Sequence, residues 1–583
     1  MYPHHEDEEH NGEVDDSRWL GEARVRGPHW ARMFLSTIGT AGLSIVWSIQ
    51  MANVVPYVLS LGLARATLSA LLLVSAVLGL SVQLIGGSLS DASTSRFGRR
   101  RPFMLSGAIL CCTALMLLAY TRSIFGETGT TALAVVILSN YCIDLGTNVM
   151  FAADSAILVD TFPSEEQSTA TAWSARMLGV GSIVGYFFGN MELTRVPVLS
   201  FLGDTQLKII AIAGGVTILS LHAIVCWAVQ ERARAPEPFS RGIKRPAWSI
   251  ISAVVELWKT IPDLPATIKH ILVIQFFAFL AFYPAMFYAS VFVGDAYRRT
   301  QAPPLSDSWT QQKTEEEAMR AGSRALLYQA VASFVGTLVL PLFALDESKP
   351  LSPSRWRKPM LVEMWMATHA LSAACLLSTF WINSVMAASA MLALLGLVNA
   401  VGAWAPYAII AKSLLTSDGG ASMHSSSDTL EMREHHTDLA GAAAYEVVPL
   451  TPAAIDQEPD DDLEPHSKAA ASDANTGAVM GIHNAVTVLP QFVISGVSSL
   501  IFSIMEPGGS PGMSGMAGMA DMDSGGNATT TAGDGHMFAR ADVPKQDQGS
   551  GALGVIFRIG GVASLVACFL TWRLARRLRS SGV

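Results

Sequence analysis

Long apolar runs, each near membrane length, alternate along this chain with short polar turns. A helix needs roughly 20 predominantly apolar residues to cross a bilayer. Six stretches in the first half qualify: 33–55, 66–89, 103–121, 131–158, 169–191 and 207–229. Six more follow at 268–293, 325–345, 359–381, 384–411, 476–504 and 551–575. The pattern predicts an all-α membrane protein with twelve transmembrane helices in two six-helix sets. Residues 1–30 read as a disordered polar tail, 31–229 as the first half, 230–266 as a linker, 267–576 as the second half and 577–583 as a last tail. Within the linker, Trp248–Trp258 has an amphipathic pattern suited to the membrane surface.

Charge placement orients the spans. The turn Gly86–Met104 carries Arg96, Arg99, Arg100 and Arg101 between two apolar runs. Such a cluster must lie outside the hydrocarbon and belongs on the cytoplasmic side. Flanks of membrane character argue against a nucleic-acid patch. Arg18, Arg24, Arg26 and Arg32 before the first span, five basic residues from Arg232 to Arg245, and Arg573, Arg576, Arg577 and Arg579 at the end all fall on that same side of a twelve-span arrangement. Both termini are then cytoplasmic. The acidic start, MYPHHEDEEHNGEVDD, has no apolar core, so insertion is expected through the first span itself.

Two insertions interrupt the second half. Residues 416–472 are polar, acidic near Glu458–Glu464, and read as disordered on the cytoplasmic side. Residues 506–549 are rich in Gly and Met and fall outside, where Asn527-Ala528-Thr529 fits a glycosylation acceptor. Met513, Met516, Met519, Met522, Met537 and His536 invite a soft-metal reading, but the surrounding chain is flexible in composition. No metal or cofactor is expected.

Composition agrees with the spans. Of 583 residues, 50% are hydrophobic and 15% charged, with a mean hydropathy of +0.37, too apolar for an ordinary soluble protein. All six cysteines sit in apolar runs, which suits reduced packing thiols. There is no phosphate-binding glycine loop and no nucleophile with its base, so no catalytic site is expected.

Carboxylates inside spans are costly and usually functional. Span four holds Asp144 near its middle, Asp154 deeper and Asp160 at the boundary. Asp144, Asn148, Phe151 and Ser155 share one helical face. A carboxyl drawn out of water there favours its neutral form, which suits a proton-coupling group; a fixed structural hydrogen bond is the alternative. Arg176 in span five lies at a depth comparable with Asp154, and the two could pair.

An internal repeat supports two halves. Ser95-Arg96-Phe97 and Arg100-Arg101-Pro102 entering span three recur in reduced form as Ser354-Arg355-Trp356-Arg357-Lys358-Pro359 entering span nine. Duplicated halves with a midplane site are a transporter device.

Asp91 followed by Ser95-Arg96-Phe97-Gly98-Arg99-Arg100-Arg101-Pro102-Phe103 resembles the signature loop of the sucrose/proton symporters of the major facilitator superfamily. The likeness continues in Trp47–Gly62, Trp173–Gly189, Gln275–Tyr297, Ala403–Ile409 and Gly481–Phe492, looks most like the fungal alpha-glucoside permeases, and omits the two long loops. It implies the major facilitator fold, a sugar and a proton as partners, and a gating role for the loop. Asp91 and the arginines would form contacts in one access state and break them in the other; fixing topology alone is the plainer role. An aspartate is expected at Asp144. Two departures stand out. An arginine essential to coupling in plant relatives is replaced by Ser155, beside an unexpected Asp154. Acidic residues before the glycine matched by Gly294 are replaced by Ala289 and Val291.

The reading is a proton-coupled, alternating-access carrier, working as a monomer in the plasma membrane rather than the vacuolar membrane. It would import sucrose or another alpha-glucoside. Asp144 and Asp154 are its coupling candidates. Gln50, Asn53, Tyr57, Asn148, Ser155, Gln275, Tyr283, Asn399, Trp404, His483, Asn484 and Gln491 are its sugar-binding candidates, since hydroxyls need amide and carboxylate partners and ring faces stack on aromatics. A carrier of another neutral solute, such as a monosaccharide, or a non-transporting sugar sensor stays open.

Overall fold

Each apolar run folds as a helix because a buried main chain must satisfy its own hydrogen bonds where water is absent. The structure, a computed structural model, describes residues 19–20, 24–91, 93, 95, 97–126, 130–231, 233–234, 261–301, 308–343, 360–410, 413, 465–506 and 549–580. Among them are twelve long helices. The first six are α1 (His29–Ser60), α2 (Arg65–Asp91), α3 (Arg101–Phe125), α4 (Thr130–Thr161), α5 (Ser164–Asn190) and α6 (Gln206–Ala228). The second six are α7 (Ala266–Thr300), α8 (Ser308–Val339), α9 (Leu361–Leu377), α10 (Val385–Ile410), α11 (Pro465–Met505) and α12 (Gly549–Ser580). Ten are long and apolar enough to cross a membrane; α2 contributes a shorter apolar stretch, Arg65–Gly79, and α5 starts with a polar turn. Apolar side chains such as Val74, Ile109, Leu138, Val216 and Leu500 face outward, as a lipid-facing surface requires.

Packing within the two groups of six runs in parallel. In the first group α1 packs on α5 and α6, α3 on α4 and α6, and α2 on α4. The same pairings recur six helices later: α7 with α11 and α12, α9 with α10 and α12, α8 with α10. Between the groups, α2 meets α11 and α5 meets α8. The α1–α5 contact is close because α5 presents glycines. A Cβ on Gly181 would run into the Ala41 carbonyl, and one on Gly185 would sit 2.7 Å from the Ser48 Cβ. Small residues four apart allow this approach, and Ser44 and Ser182 hydroxyls join the two helices at 2.8 Å.

Helix α1 is not uniform. Gln50–Val54 is a π-helical turn followed by Pro56, which lacks the N–H to continue the regular ladder. Such turns often mark functional positions. Prolines also interrupt α7 at Pro284 and α11 at Pro490.

Three expectations change. The tail expected over 1–30 is ordered where it is described: Arg24–Val25 pairs antiparallel with Val229–Gln230, and Trp19–Leu20 with Ala233–Arg234. Main-chain hydrogen bonding thus ties it to the start of the linker. Helix α8 begins far before 325, because its acidic turn is paired with Arg298 and Arg320, charges that hydropathy alone counts against a helix. Helix α11 begins at Pro465, so the insertion expected over 416–472 is helical at its end. Trp248–Trp258, Ser354–Pro359, most of both insertions and Asn527 lie outside the described residues.

Replacing Gly181 with Val should push α1 from α5 and cost about 1–3 kcal/mol through overpacking. Thermal unfolding of detergent-purified protein reads this; an unchanged midpoint would show that the contact tolerates a side chain.

Candidate functional site

The helices enclose a cavity of about 520 Å3 lined from both groups of six. Asp144 lies on its wall in mid-α4, partly exposed to it. Gln50, aimed by the π turn of α1, donates from Nε2 to Asp144 Oδ1 at 2.5 Å and to Asn140 Oδ1 at 3.0 Å. Ser75 of α2 donates to Oδ2 at 2.6 Å, with Asn140 Nδ2 at 3.3 Å. One turn on, Asn148 donates to the Asp144 carbonyl at 2.8 Å. The set fits either charge state. An ionised carboxylate accepts from Ser75, and a protonated one can donate to it, because a hydroxyl serves both ways. Helix α5 adds Arg176, whose guanidinium lies over the Trp173 ring at 5.6 Å and lines the same cavity.

The second group supplies amides and rings. Gln275 of α7 lies 2.9 Å from His483 Nε2 on α11, and the His483 ring meets Tyr407 edge-on at 4.7 Å. The Tyr283 hydroxyl donates to the Thr487 carbonyl at 3.1 Å and its ring stacks on Phe287. Asn399, Gln329 and Gln491 add further amides to the lining.

Of the residues expected here, Gln50, Asp144, Asn148, Arg176, Gln275, Tyr283, Asn399 and Gln491 line the cavity. Others do not. Asn53 is buried and donates to the Ile49 carbonyl at 3.0 Å. Tyr57 lies under the Arg122 guanidinium. Trp404 is buried in the packing of the second group, and His483 stands behind Gln275. Ser155 keeps to the Asp144 face but lies beyond Phe151, the last α4 side chain of the lining. The Asn484 side chain lies outside the described residues. Ser75, Asn140 and Gln329 were missed, since single polar residues in apolar runs carry no pattern.

Asp154 is a larger correction. Ten residues of 3.6-residue helix turn it about 80° from Asp144, away from the cavity and from Arg176. Its Oδ2 lies 3.3 Å from Nε2 of His222 on α6, and both side chains are buried. His222 Nδ1 faces the Ile218 carbonyl at 2.9 Å, an acceptor only, so Nδ1 carries a proton. A further proton must then sit between Nε2 and the carboxyl; without it a lone pair would face a carboxylate. The Asp154–His222 pair therefore holds one shared proton and no net charge. A histidine within an apolar span was the available signal.

The arginine loop is held by two carboxylates. Glu231, just past the Val229–Gln230 strand, accepts the main-chain N–H groups of Arg99 and Arg100 at 2.7 Å and of Arg101 at 3.0 Å. It thereby caps the start of α3, where a negative charge meets the positive end of the helix dipole. Gly98, at φ +110°, leaves room for it; a Cβ there would sit 2.9 Å from Glu231 Oε1. Asp160 at the end of α4 takes Arg99 Nη2 at 2.6 Å and Arg100 Nε at 3.0 Å. The expected partner, Asp91, ends α2, but its side chain and Arg96 lie outside the described residues. At the opposite end ion pairs join the two groups: Arg65 of α2 with Asp295 of α7 at 2.8 Å and with Glu506 at 3.5 Å, and Arg320 of α8 with Glu192 at 3.2 Å.

A cavity with polar groups set in a largely apolar wall, enclosed by an apolar-surfaced helical bundle, is the architecture of a multi-pass membrane transporter. The sequence profile of the Major Facilitator Superfamily matches residues 35–424, and the chain belongs to that superfamily. It is a transporter rather than an enzyme. The general alpha-glucoside permease of Schizosaccharomyces pombe is 28% identical over 65% of this chain and 79% of its own length. The sucrose transport protein SUT1 of Oryza sativa subsp. japonica is 23% identical over 67% and 77%. A solved structure, the bacterial homolog of the human lysosomal transporter Spinster in an inward-facing, unoccupied conformation, covers 93% of this chain and 96% of its own at 14% identity, with a TM-score of 0.51, a likeness of fold.

Substituting His222 by Phe strands the Asp154 carboxyl and should cost about 3–5 kcal/mol. Asp154→Asn keeps a donor for Nε2 and should cost under about 1 kcal/mol. Equal losses in thermal unfolding would contradict the one-proton pair.

Proposed function

We propose that this chain is a proton-coupled, alternating-access sugar carrier that takes up sucrose or another alpha-glucoside. Its twelve helices would span the membrane as two six-helix pseudo-repeats. The observation that carries this reading is Asp144, a cavity carboxyl whose Gln50, Ser75 and Asn140 partners accommodate both charge states. Proton uptake and release there need no rearrangement beyond a hydroxyl rotation. The names of the similar permease and sucrose transport protein support the substrate class. Amides, a guanidinium and aromatic rings around one cavity suit a ligand with many hydroxyls and apolar ring faces.

Asp144 alone is assigned the coupling proton, since Asp154 shares its own with His222 away from the cavity. Arg176 takes sugar oxygens, because the cavity offers that cation no carboxylate within ion-pair distance among the described residues. Ser155, at the position of the plant arginine, lies outside the lining, so its change bears on the site less than it does in sequence. The arginine loop and both termini lie on the cytoplasmic side, and the Arg65–Asp295 and Arg320–Glu192 pairs close the exoplasmic end. The carrier works as a monomer in the plasma membrane.

Uptake of labelled sucrose, maltose and glucose in transport-deficient yeast, with and without a proton uncoupler, tests the reading. Concentrative disaccharide uptake that collapses with the uncoupler is expected. Uptake of glucose alone would shift the substrate to a monosaccharide, and no uptake of any sugar would leave a sensor. Asp144→Asn should abolish accumulation at least tenfold while sparing exchange of preloaded sugar; normal accumulation would remove Asp144 from coupling. Asn527 should carry glycan on protein from the cell surface, and protease mapping that places it inside would reverse the orientation.

A further inference from the structure

One part of the cavity wall has no role in that scheme. Helix α9 contributes Trp365, Thr368 and His369 to the lining, and Gly402 of α10, next to the Val401 that shares a packing cluster with Trp365, lines it too. A Cβ built on Gly402 would meet nothing within 4 Å, so the cavity extends there as a bay. Trp365 is fully buried and His369 is 4% exposed, yet the Trp365 Nε1 and His369 Nε2 atoms have no hydrogen-bond partner. Their rings tilt against each other with centroids 5.2 Å apart, and no hydrogen bond joins these two nitrogens. The neighbouring hydroxyls are engaged: Thr368 donates to the Trp365 carbonyl at 2.7 Å and Ser564 to Ser372 at 2.8 Å.

Two enclosed polar nitrogens left unpaired are each a cost to the fold. Such groups usually find a partner in some state of the molecule. An indole offers one donor and an apolar face; a neutral imidazole offers one donor and one acceptor. Together they match vicinal hydroxyls on a sugar ring that rests one face against an aromatic surface. Phe282 and Tyr283 of α7 also line this cavity, as does the Asp144 cluster.

We propose that the α9 bay is a second sugar subsite, in which Trp365 and His369 take the hydroxyls of the ring not held at Asp144. The two rings of a disaccharide are then gripped by different halves of the carrier, one by α4 and one by α9. A monosaccharide fills only the Asp144 end. This inference rests on the sugar-carrier reading above and adds the basis for preferring two rings to one. Ligand binding would turn both side chains toward the bay.

The test is labelled maltose and sucrose uptake by the full-length chain in transport-deficient yeast, with unlabelled glucose as competitor and rates normalised to surface protein. Trp365→Phe keeps the ring and removes only the N–H; His369→Ala removes the imidazole, and His369→Gln restores a donor and an acceptor. The disaccharide KM should rise about tenfold in Trp365→Phe and His369→Ala, the value of one hydrogen bond. It should recover in part in His369→Gln, with kcat and the glucose inhibition constant held within about twofold. Unchanged disaccharide KM in both variants overturns the subsite while leaving the carrier intact. Equal loss for glucose and disaccharide also overturns it, since the residues would then serve the whole cavity. A wild-type chain that moves no sugar overturns the subsite and the carrier reading together.

Discussion

Hydrocarbon neither donates nor accepts hydrogen bonds, so polar groups inside the bundle depend for partners on other groups of the protein or on a ligand. Asp144 is answered by Gln50, Ser75 and Asn140, drawn from α1, α2 and its own helix. Asp154 is answered by His222, and the arginine loop by Glu231 and Asp160. These pairings fix which face each helix presents. Once α4 has Asp144 turned to the cavity, helical geometry turns Asp154 toward α6. The helix is committed at two depths by two different partners.

The constraint also separates the two kinds of polar site. At the arginine loop and the opposite end, charges are paired with charges and hold segments together. Around the cavity, polar groups are satisfied by adaptable partners, a hydroxyl or an amide, or are left open to a ligand. The arginine loop is tied through Glu231 to the segment joining the two groups of helices, and that segment is paired in turn with Arg24–Val25. A change at one end of the first group is therefore felt by the connection to the second.

Much of this was legible in the sequence because it depends on local pattern. Apolar runs of span length marked the helices, and the midspan carboxylate at Asp144 marked the cavity. The Asp144, Asn148 and Phe151 face followed from helical spacing. What stayed hidden depends on long-range pairing. The distance in sequence from Asp154 to His222, or from Arg99 to Glu231, carries no periodic signal, so depth alone suggested Arg176 for Asp154. The polar start of α8 read as loop because hydropathy counts each charge as unpaired, whereas Glu315 meets Arg298. Trp404 and His483 have the right chemistry for the cavity but stand in the packing behind it. Residue type indicates what a side chain can do, and only the rotation of its helix decides whether it faces the cavity.

The π turn at Gln50–Val54 has a consequence of a different kind. It is one residue in excess of regular helix, so it acts as a phase shift of about 100° between the two ends of α1. Upstream, Ser44 and Ser48 keep α1 seated on α5; the turn itself and the residues just beyond it meet α7, where Ser290 donates to the Met51 carbonyl. Removing a single residue from the turn would restore a regular helix but leave only one of these faces in phase. The same α1 sequence could then pack against its own half or meet the other, but not both. Chain length through this turn, to the single residue, belongs to the construction of the cavity as much as any side chain in it.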